Sequence, residues 1–435
     1  MIRKTRTLKI CIDKRKYPFF LLAGIYFFSC ITGILNYTIT SSIVTLLLVF
    51  LVQYNEYYLA FPIILLYYSV LLIPGANLSV FVFYLLLMGI KLIILGKGQF
   101  EANRRNVICF IVVLVYSCTV FLVYDVKLAI PFIISSVVMF FYTKKYLYYS
   151  ENLKRFLKFY VIACICSFMT GIFTNNIMVY DALTIDKVLN LRRWMATFND
   201  PNYMGLFFMV AIFAILCYEL FPKVIRYALV IALCCMILST MSVTAILGGM
   251  IVFIIYLLLK NKIRLKSVIY LILLFIVLGG IYNYGVNNPK TPLIGTVSQR
   301  IEEKIELTQM GDVSKASTGR LDLSEEHMSY FENQKLGEKM VGGNIINAIA
   351  IEPKRELRYA VAHNEYVDLL LNVGLIGAIL MIGSWIITLG KDLIIYWKCN
   401  QNKELFLVIT RLIFLYYCFG LTMFMDIRFF LFYIL

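Results

Sequence analysis

The sequence predicts an all-α fold: a polytopic bundle of about thirteen transmembrane helices with one large, partly helical loop on the extracytoplasmic side. Three observations predict it. The 435 residues are 61% hydrophobic and 15% charged, against about 25% charged in soluble domains, and mean hydropathy is +0.82. Apolar stretches near the ~20 residues needed to span a bilayer recur along the chain. The connections between them alternate between basic and nearly uncharged. A formal charge of +16 would suit a nucleic-acid binder in a soluble chain. Here it marks the cytoplasmic connections, and no nucleic-acid partner is expected.

The amino-terminal segment carries Arg3, Lys4, Arg6, Lys9, Lys14, Arg15 and Lys16 and is assigned to the cytoplasm. No small-residue cleavage site follows the first apolar stretch, which is read as a retained helix. Spans are predicted over 17–35, 38–54, 57–74, 78–95, 107–124, 127–143, 156–173, 203–220, 224–241, 243–259, 267–285, 364–390 and 404–425. Residues 429–435 are too few to cross. The stretch between Thr240 and Thr244 reads as a hairpin or a kink. Connections of the amino terminus's parity hold Lys97, Arg104 and Arg105, then Lys144, Lys145, Lys154 and Arg155, then Lys223 and Arg226, then Lys260, Lys262, Arg264 and Lys266, and lastly Lys391, Lys398 and Lys403. The short connections of the other parity hold little but Lys127.

This alternation puts two longer polar segments outside, 174–202 and 286–363. The chain divides accordingly into helices within 1–285, the large loop 286–363, and carboxyl-terminal helices within 364–435. Inside the loop, 297–308 has apolar residues at helical spacing. A second amphipathic run follows Ser317 and Thr318, either of which suits an N-cap. Gly337, Gly342 and Gly343 then break the pattern. The eleven cysteines fall in apolar spans or in cytoplasmic segments, so structural disulfides are not expected.

Three polar clusters lie outside. Leu191 to Asn202 reads LRRWMATFNDPN, joining Arg192 and Arg193 to an Asn-Asp-Pro-Asn turn at the start of a helix. Paired guanidinium groups suit phosphate oxygens; headgroup contact with Trp194 as an interfacial anchor is the plainer account. Ser317 to Arg320 begins the second loop helix and puts an arginine where backbone N–H groups already favour anions. A surface arginine without a role is the alternative. His363 and Asn364 stand where the loop re-enters the membrane, and His363 is the best candidate for moving a proton near neutral pH, although a lone interfacial histidine is often a bystander. His327, beside Glu325 and Glu326, is read as part of a solvated face. Arg355 and Arg358 extend the basic patch. Lys91 and Arg411, within spans, are either functional or snorkel to the cytoplasmic interface. Glu365 and Asp368 are placed to pair with an arginine. No Walker loop, Cys/His metal spacing, Gly-Xaa-Ser-Xaa-Gly elbow or Asp-Xaa-Asp pair occurs, so no metal site and no cofactor are predicted.

These clusters resemble the superfamily of O-antigen ligases and surface-polysaccharide polymerases of bacterial envelopes. Arg193, Phe198, Pro201 and Asn202 match its arginine segment ending in Phe-Xaa-Xaa-Pro-Asn. Ser317, Thr318, Gly319 and Arg320 match its Ser-Gly-Arg step with a threonine interposed, and His363, Asn364 and Gly374 to Gly377 match its His-Asn entry to Gly-Leu-Ile-Gly. Ala196 stands where the pattern often has glycine. The resemblance implies a glycosyltransferase-C-like helical fold in the plasma membrane. It also implies metal-independent, inverting glycosyl transfer from an undecaprenyl-diphosphate-linked oligosaccharide. His363, Arg320 and Arg193 would be catalytic; Arg192, Arg358, Asn202 and Asn364 would bind substrate. A polymerase of repeat units is the expected function, with the growing polysaccharide chain, membrane lipid, a chain-length regulator and a flippase as partners. A ligase moving finished glycan to a lipid or protein is the first alternative, and a lipid-linked oligosaccharide flippase or transporter the second.

Overall fold

The computed structural model describes parts of 61–94, scattered positions between 111 and 147, and then 150–183, 188–262, 265–317, 319–342 and 362–435 except 422, 424 and 425. The spans expected over 17–54, and most of those over 107–143, lie outside the described residues. A short helix α1 (Phe61–Leu66) precedes the strand pair β1 (Leu72–Ile73) and β2 (Leu78–Ser79), which leads into α2 (Val80–Ile94). Then come α3 (Ser150–Phe173), the strands β3 (Ile177–Leu183) and β4 (Val188–Trp194), α4 (Pro201–Tyr218), α5 (Lys223–Leu238), α6 (Val243–Lys260) and α7 (Leu265–Asn287). The loop contributes α8 (Ile294–Gln309), α9 (Val313–Ala316), α10 (Arg320–Asn333) and α11 (Leu336–Val341). The chain closes with α12 (Glu365–Cys399), α13 (Asn402–Tyr417) and α14 (Ile427–Ile434).

The structure is largely helical and membrane-embedded. Five described helices are long and apolar enough to cross a bilayer: α3, α4, α6, the 269–287 portion of α7, and α12. The expected count of thirteen is corrected to five among the described residues, and these five do not establish a glycosyltransferase-C-like arrangement. At 1.5 Å per residue, the 16-residue α5 and α13 reach about 24 Å, short of the ~30 Å hydrocarbon core. The span expected over 57–74 is broken: α1 has six residues and the chain then pairs β1 with β2.

At the centre, α4 is buried along nearly its whole length, packed by α3, α5, α6 and α13. Its start is dictated locally, with Pro201 in the first turn and the Asp200 side chain accepting the Asn202 N–H at 2.6 Å. Phe198 stacks on Phe207 with ring centroids 5.5 Å apart, and Phe207 meets Phe432 at 6.1 Å. The buried Arg428 guanidinium joins this cluster, 4.9 Å from the Phe198 ring centroid and 5.6 Å from that of Tyr203, while paired to Asp426 at 2.5 Å. The outward faces of α7 (Ile272, Phe275, Ile276) and α12 (Ile379, Ile386, Ile387) are apolar and exposed, as lipid contact requires.

Arg411 does not snorkel. It is 3% exposed and forms an ion pair with Asp392 that joins α13 to α12. The Lys91 side chain lies outside the described residues. Within α12, Gly374 leaves helical geometry (φ 67°, ψ −176°) and kinks the helix where α11 docks. Gly342, at φ 96°, ends α11 against this kink. A Cβ on Gly342 would lie 2.3 Å from the Asn372 carbonyl oxygen, and one on Gly374 would lie 2.5 Å from the Gly342 nitrogen. The glycines thus permit backbone to meet backbone.

Candidate functional site

The polar segment 174–202 folds as an antiparallel hairpin rather than an open loop, with Met178 opposite Arg193 and Val179 opposite Arg192. Neighbouring residues on a strand point to opposite faces, so the two arginines separate. Arg192 is exposed, whereas Arg193 turns inward. Its Nε donates to the Thr240 carbonyl at 2.8 Å and its Nη2 to Asn202 Oδ1 at 3.4 Å. Thr240 belongs to the tight turn between α5 and α6, where Met241 takes φ 51° and Ser242 caps α6; the ambiguous stretch is thus a hairpin. Ser242 Oγ donates to the same Asn202 oxygen at 2.5 Å. The turn, the hairpin and the start of α4 are thereby tied through a side chain only 3% exposed.

Arg320 is the first residue of α10, after Gly319 at φ 76°. Glycine, rather than Ser317 or Thr318, takes the N-cap position, because the chain turns there through the left-handed region. The Ser317 hydroxyl accepts the Leu321 N–H at 3.2 Å instead. Arg320 Nη1 donates to the Gly420 carbonyl at 2.8 Å. Arg193 and Arg320 line one cavity of about 360 Å³, together with Asn202, Ser242, Ser317, Ser324 and Asn364. Met241, Val243, Leu247, Tyr416 and Phe419 form its apolar side.

Two further cations line this cavity, Arg300 and Lys304 of α8. Arg300 is buried and paired to Glu303 at 2.5 Å. Lys304 Nζ donates to the Ala316 carbonyl at the end of α9. Burial, then the neighbouring Arg300, pushes Lys304 down to about 8; Glu303 opposes this, and Arg320 and Arg193 add to it. Sequence reasoning passed over both residues because the apolar spacing of 297–308 drew attention to Ile301 and Ile305. The face that is buried carries Val297, Arg300 and Glu303, while Ile305 is exposed. The available signal was two cations at i and i+4, on the side of the helix that also bears Val297.

His363 is half-buried, at φ 53°, next to Asn364, which lines the cavity and caps α12 by accepting the Tyr366 N–H at 3.1 Å. Its position is fixed by acidic groups at the helix start. Asp368 accepts the Ala362 N–H at 2.8 Å, and Glu365 accepts that of Met423. These carboxylates therefore hold backbone. Burial and then Arg320 lower the His363 pKa below 6.5, while Asp200 and Asp368 act against them. His327 is corrected from a solvated face: it is fully buried, with Nδ1 2.8 Å from the Leu323 carbonyl oxygen. It lies seven residues after Arg320, two helical turns on the same inward face. Arg358 and Arg355 lie outside the described residues.

The site therefore combines four cations, amide and hydroxyl groups, and a nearby imidazole with a depressed pKa, next to an apolar wall. Such a set is chemically suited to a multiply charged anion attached to an apolar body, with His363, outside the cavity lining but adjacent to Asn364, as a base beside it. No curated protein matches the chain. Residues 228–382, from α5 into α12, match the O-antigen ligase (Wzy_C) family. That stretch contains Arg300, Lys304, Arg320, His363 and Asn364, while Arg193 and Asn202 precede it. The similarity to the O-antigen ligase family is thus confined to residues 228–382, about a third of the chain.

Proposed function

We propose that the protein is a membrane glycan ligase, transferring glycan from a polyprenyl diphosphate to a hydroxyl of another acceptor by metal-independent, inverting substitution. The observation that carries this reading is the meeting of Arg193 and Arg320, far apart in sequence, around one cavity with Asn202 and Asn364. The arginines hold the diphosphate, with bidentate contacts that lysine does not reproduce. His363, adjacent to Asn364, takes the proton from the acceptor hydroxyl as its oxygen attacks the anomeric carbon. The bond from that carbon to the diphosphate breaks, and its electron pair goes to the phosphate oxygen. A depressed pKa keeps the imidazole neutral and ready as a base near pH 7. The charge alternation of the sequence supports a site facing outward, and the family resemblance implies undecaprenyl diphosphate as the carrier.

The ligase replaces the polymerase as the first reading because the family matched by 228–382 is described as a ligase. Both use the same donor, so the product decides between them. In proteoliposomes given lipid-linked glycan on the site's face and a separate acceptor, a ligase moves intact chains to that acceptor. A polymerase instead lengthens chains on the carrier lipid. His363→Ala and Arg320→Ala should each slow transfer by about 100-fold or more. A wild-type rate in either variant would sink the transfer reading.

A further inference from the structure

We propose that Lys304 is the group that stabilises the leaving diphosphate during transfer, a role distinct from the ground-state binding done by Arg193 and Arg320. This inference rests on the transfer reading above. Its basis is the arrangement of cations around the cavity and a count of charge.

A diphosphate esterified at both ends carries one ionised oxygen on each phosphorus. As the bond to the anomeric carbon breaks, the departing oxygen gains a third negative charge. Arg193 and Arg320 match the two charges present at the start. Arg300 adds little net charge because it is buried and closed onto Glu303 at 2.5 Å. Lys304 is the remaining cation on the cavity wall, available for the charge that appears only as the bond breaks. Interactions that strengthen in the transition state raise kcat, while those present throughout lower KM.

The chemistry of the side chain fits this task. Lys304 Nζ donates to the carbonyl of Ala316, a neutral acceptor that a phosphate oxygen can displace. An ammonium on a flexible stem follows a moving charge better than a fixed guanidinium fork does. Its surroundings also leave a signature. Arg300 and Glu303 on its own helix, Arg320 from α10 and Arg193 from β4 act on it, and burial outweighs each of them. With its pKa at about 8, it is charged at neutral pH and discharges just above. Bound diphosphate favours the charged form, so the alkaline fall in kcat should lie higher than that in kcat/KM.

The test is steady-state transfer in proteoliposomes by wild type, Lys304→Met and Lys304→Arg, with donor varied and pH scanned from about 6 to 10. Lys304→Met should lower kcat by about 100-fold with KM within about threefold. Lys304→Arg should abolish the alkaline limb near pH 8, because guanidinium stays charged. A Lys304→Met enzyme with unchanged kcat would overturn the proposal, and so would an alkaline limb that persists in Lys304→Arg. If Lys304→Met does not fold, the Lys304→Arg profile decides alone. Arg320→Ala separates the two layers. Full activity in that variant overturns the transfer reading itself, whereas an inactive Arg320→Ala beside a normal Lys304→Met overturns only the role of Lys304.

Discussion

His363 joins backbone and electrostatics in one residue. At φ 53° it occupies the left-handed region, which histidine visits more readily than β-branched residues do. A strained backbone beside a cavity is a mark of function when the surroundings hold it, and Asp368 and Glu365 provide that support. Because imidazolium is the form disfavoured by burial and by Arg320, the acid limb of kcat/KM should fall below pH 6.5. Removing a cation eases protonation, so residual activity in Arg320→Gln should show that limb shifted up. Removing an anion does the reverse, so Asp200→Asn should shift it down. A pH–rate profile of each variant checks both signs. Asn202, Arg320 and Asn364 were legible because each sits at a helix start that announces itself locally, and Arg193 through its pairing with Arg192 just before the Asn-Asp-Pro-Asn turn. Lys304 and Arg300 were hidden on a helix whose apolar residues gave the stronger pattern. Ala196 shows the converse: at φ 52° it occupies a conformation suited to glycine, which gives a physical reason for glycine in the related pattern.

At the scale of elements, the contact of α11 with the kink in α12 sets where the chain re-enters the membrane. Gly374→Ala would force a Cβ to within 2.5 Å of the Gly342 nitrogen while straining φ 67°. It should destabilise by about 3 kcal/mol or more, combining backbone strain with a steric clash. Gly383, in the same helix, has nothing within 4 Å of an added Cβ. Gly383→Ala should therefore gain up to about 1 kcal/mol from helix propensity. Thermal unfolding of the purified variants in one detergent compares them. Gly342 was visible in the sequence only as a helix breaker and Gly374 only as part of Gly-Leu-Ile-Gly, since nothing local reveals that the two meet. The β3–β4 hairpin was legible in principle. Two seven-residue runs flank residues 184–187, yet 174–202 was read only as a polar external loop, with no strands assigned.

Across the whole molecule, burial in an apolar bundle makes each unmatched charge expensive. Asp392 and Arg411 join α12 to α13 as an ion pair. Asp392→Leu or Arg411→Leu alone should cost about 3–5 kcal/mol by stranding the other charge, while the double replacement should recover most of that loss. A double-mutant cycle in detergent measures it. Hydropathy located the described apolar helices; five of them have the length and composition to cross, while α5 and α13 are apolar but have 16 residues each. Arg428 carries a different consequence. Synthesis runs from the amino terminus, so the arginine-bearing turn at 193–202 is made long before Arg428 arrives. Only then are Phe198 and Tyr203, which bracket Asn202, given the cation that packs against their rings. The ring cluster beside Asn202 therefore closes around its cation only once residues 426–434 have been added.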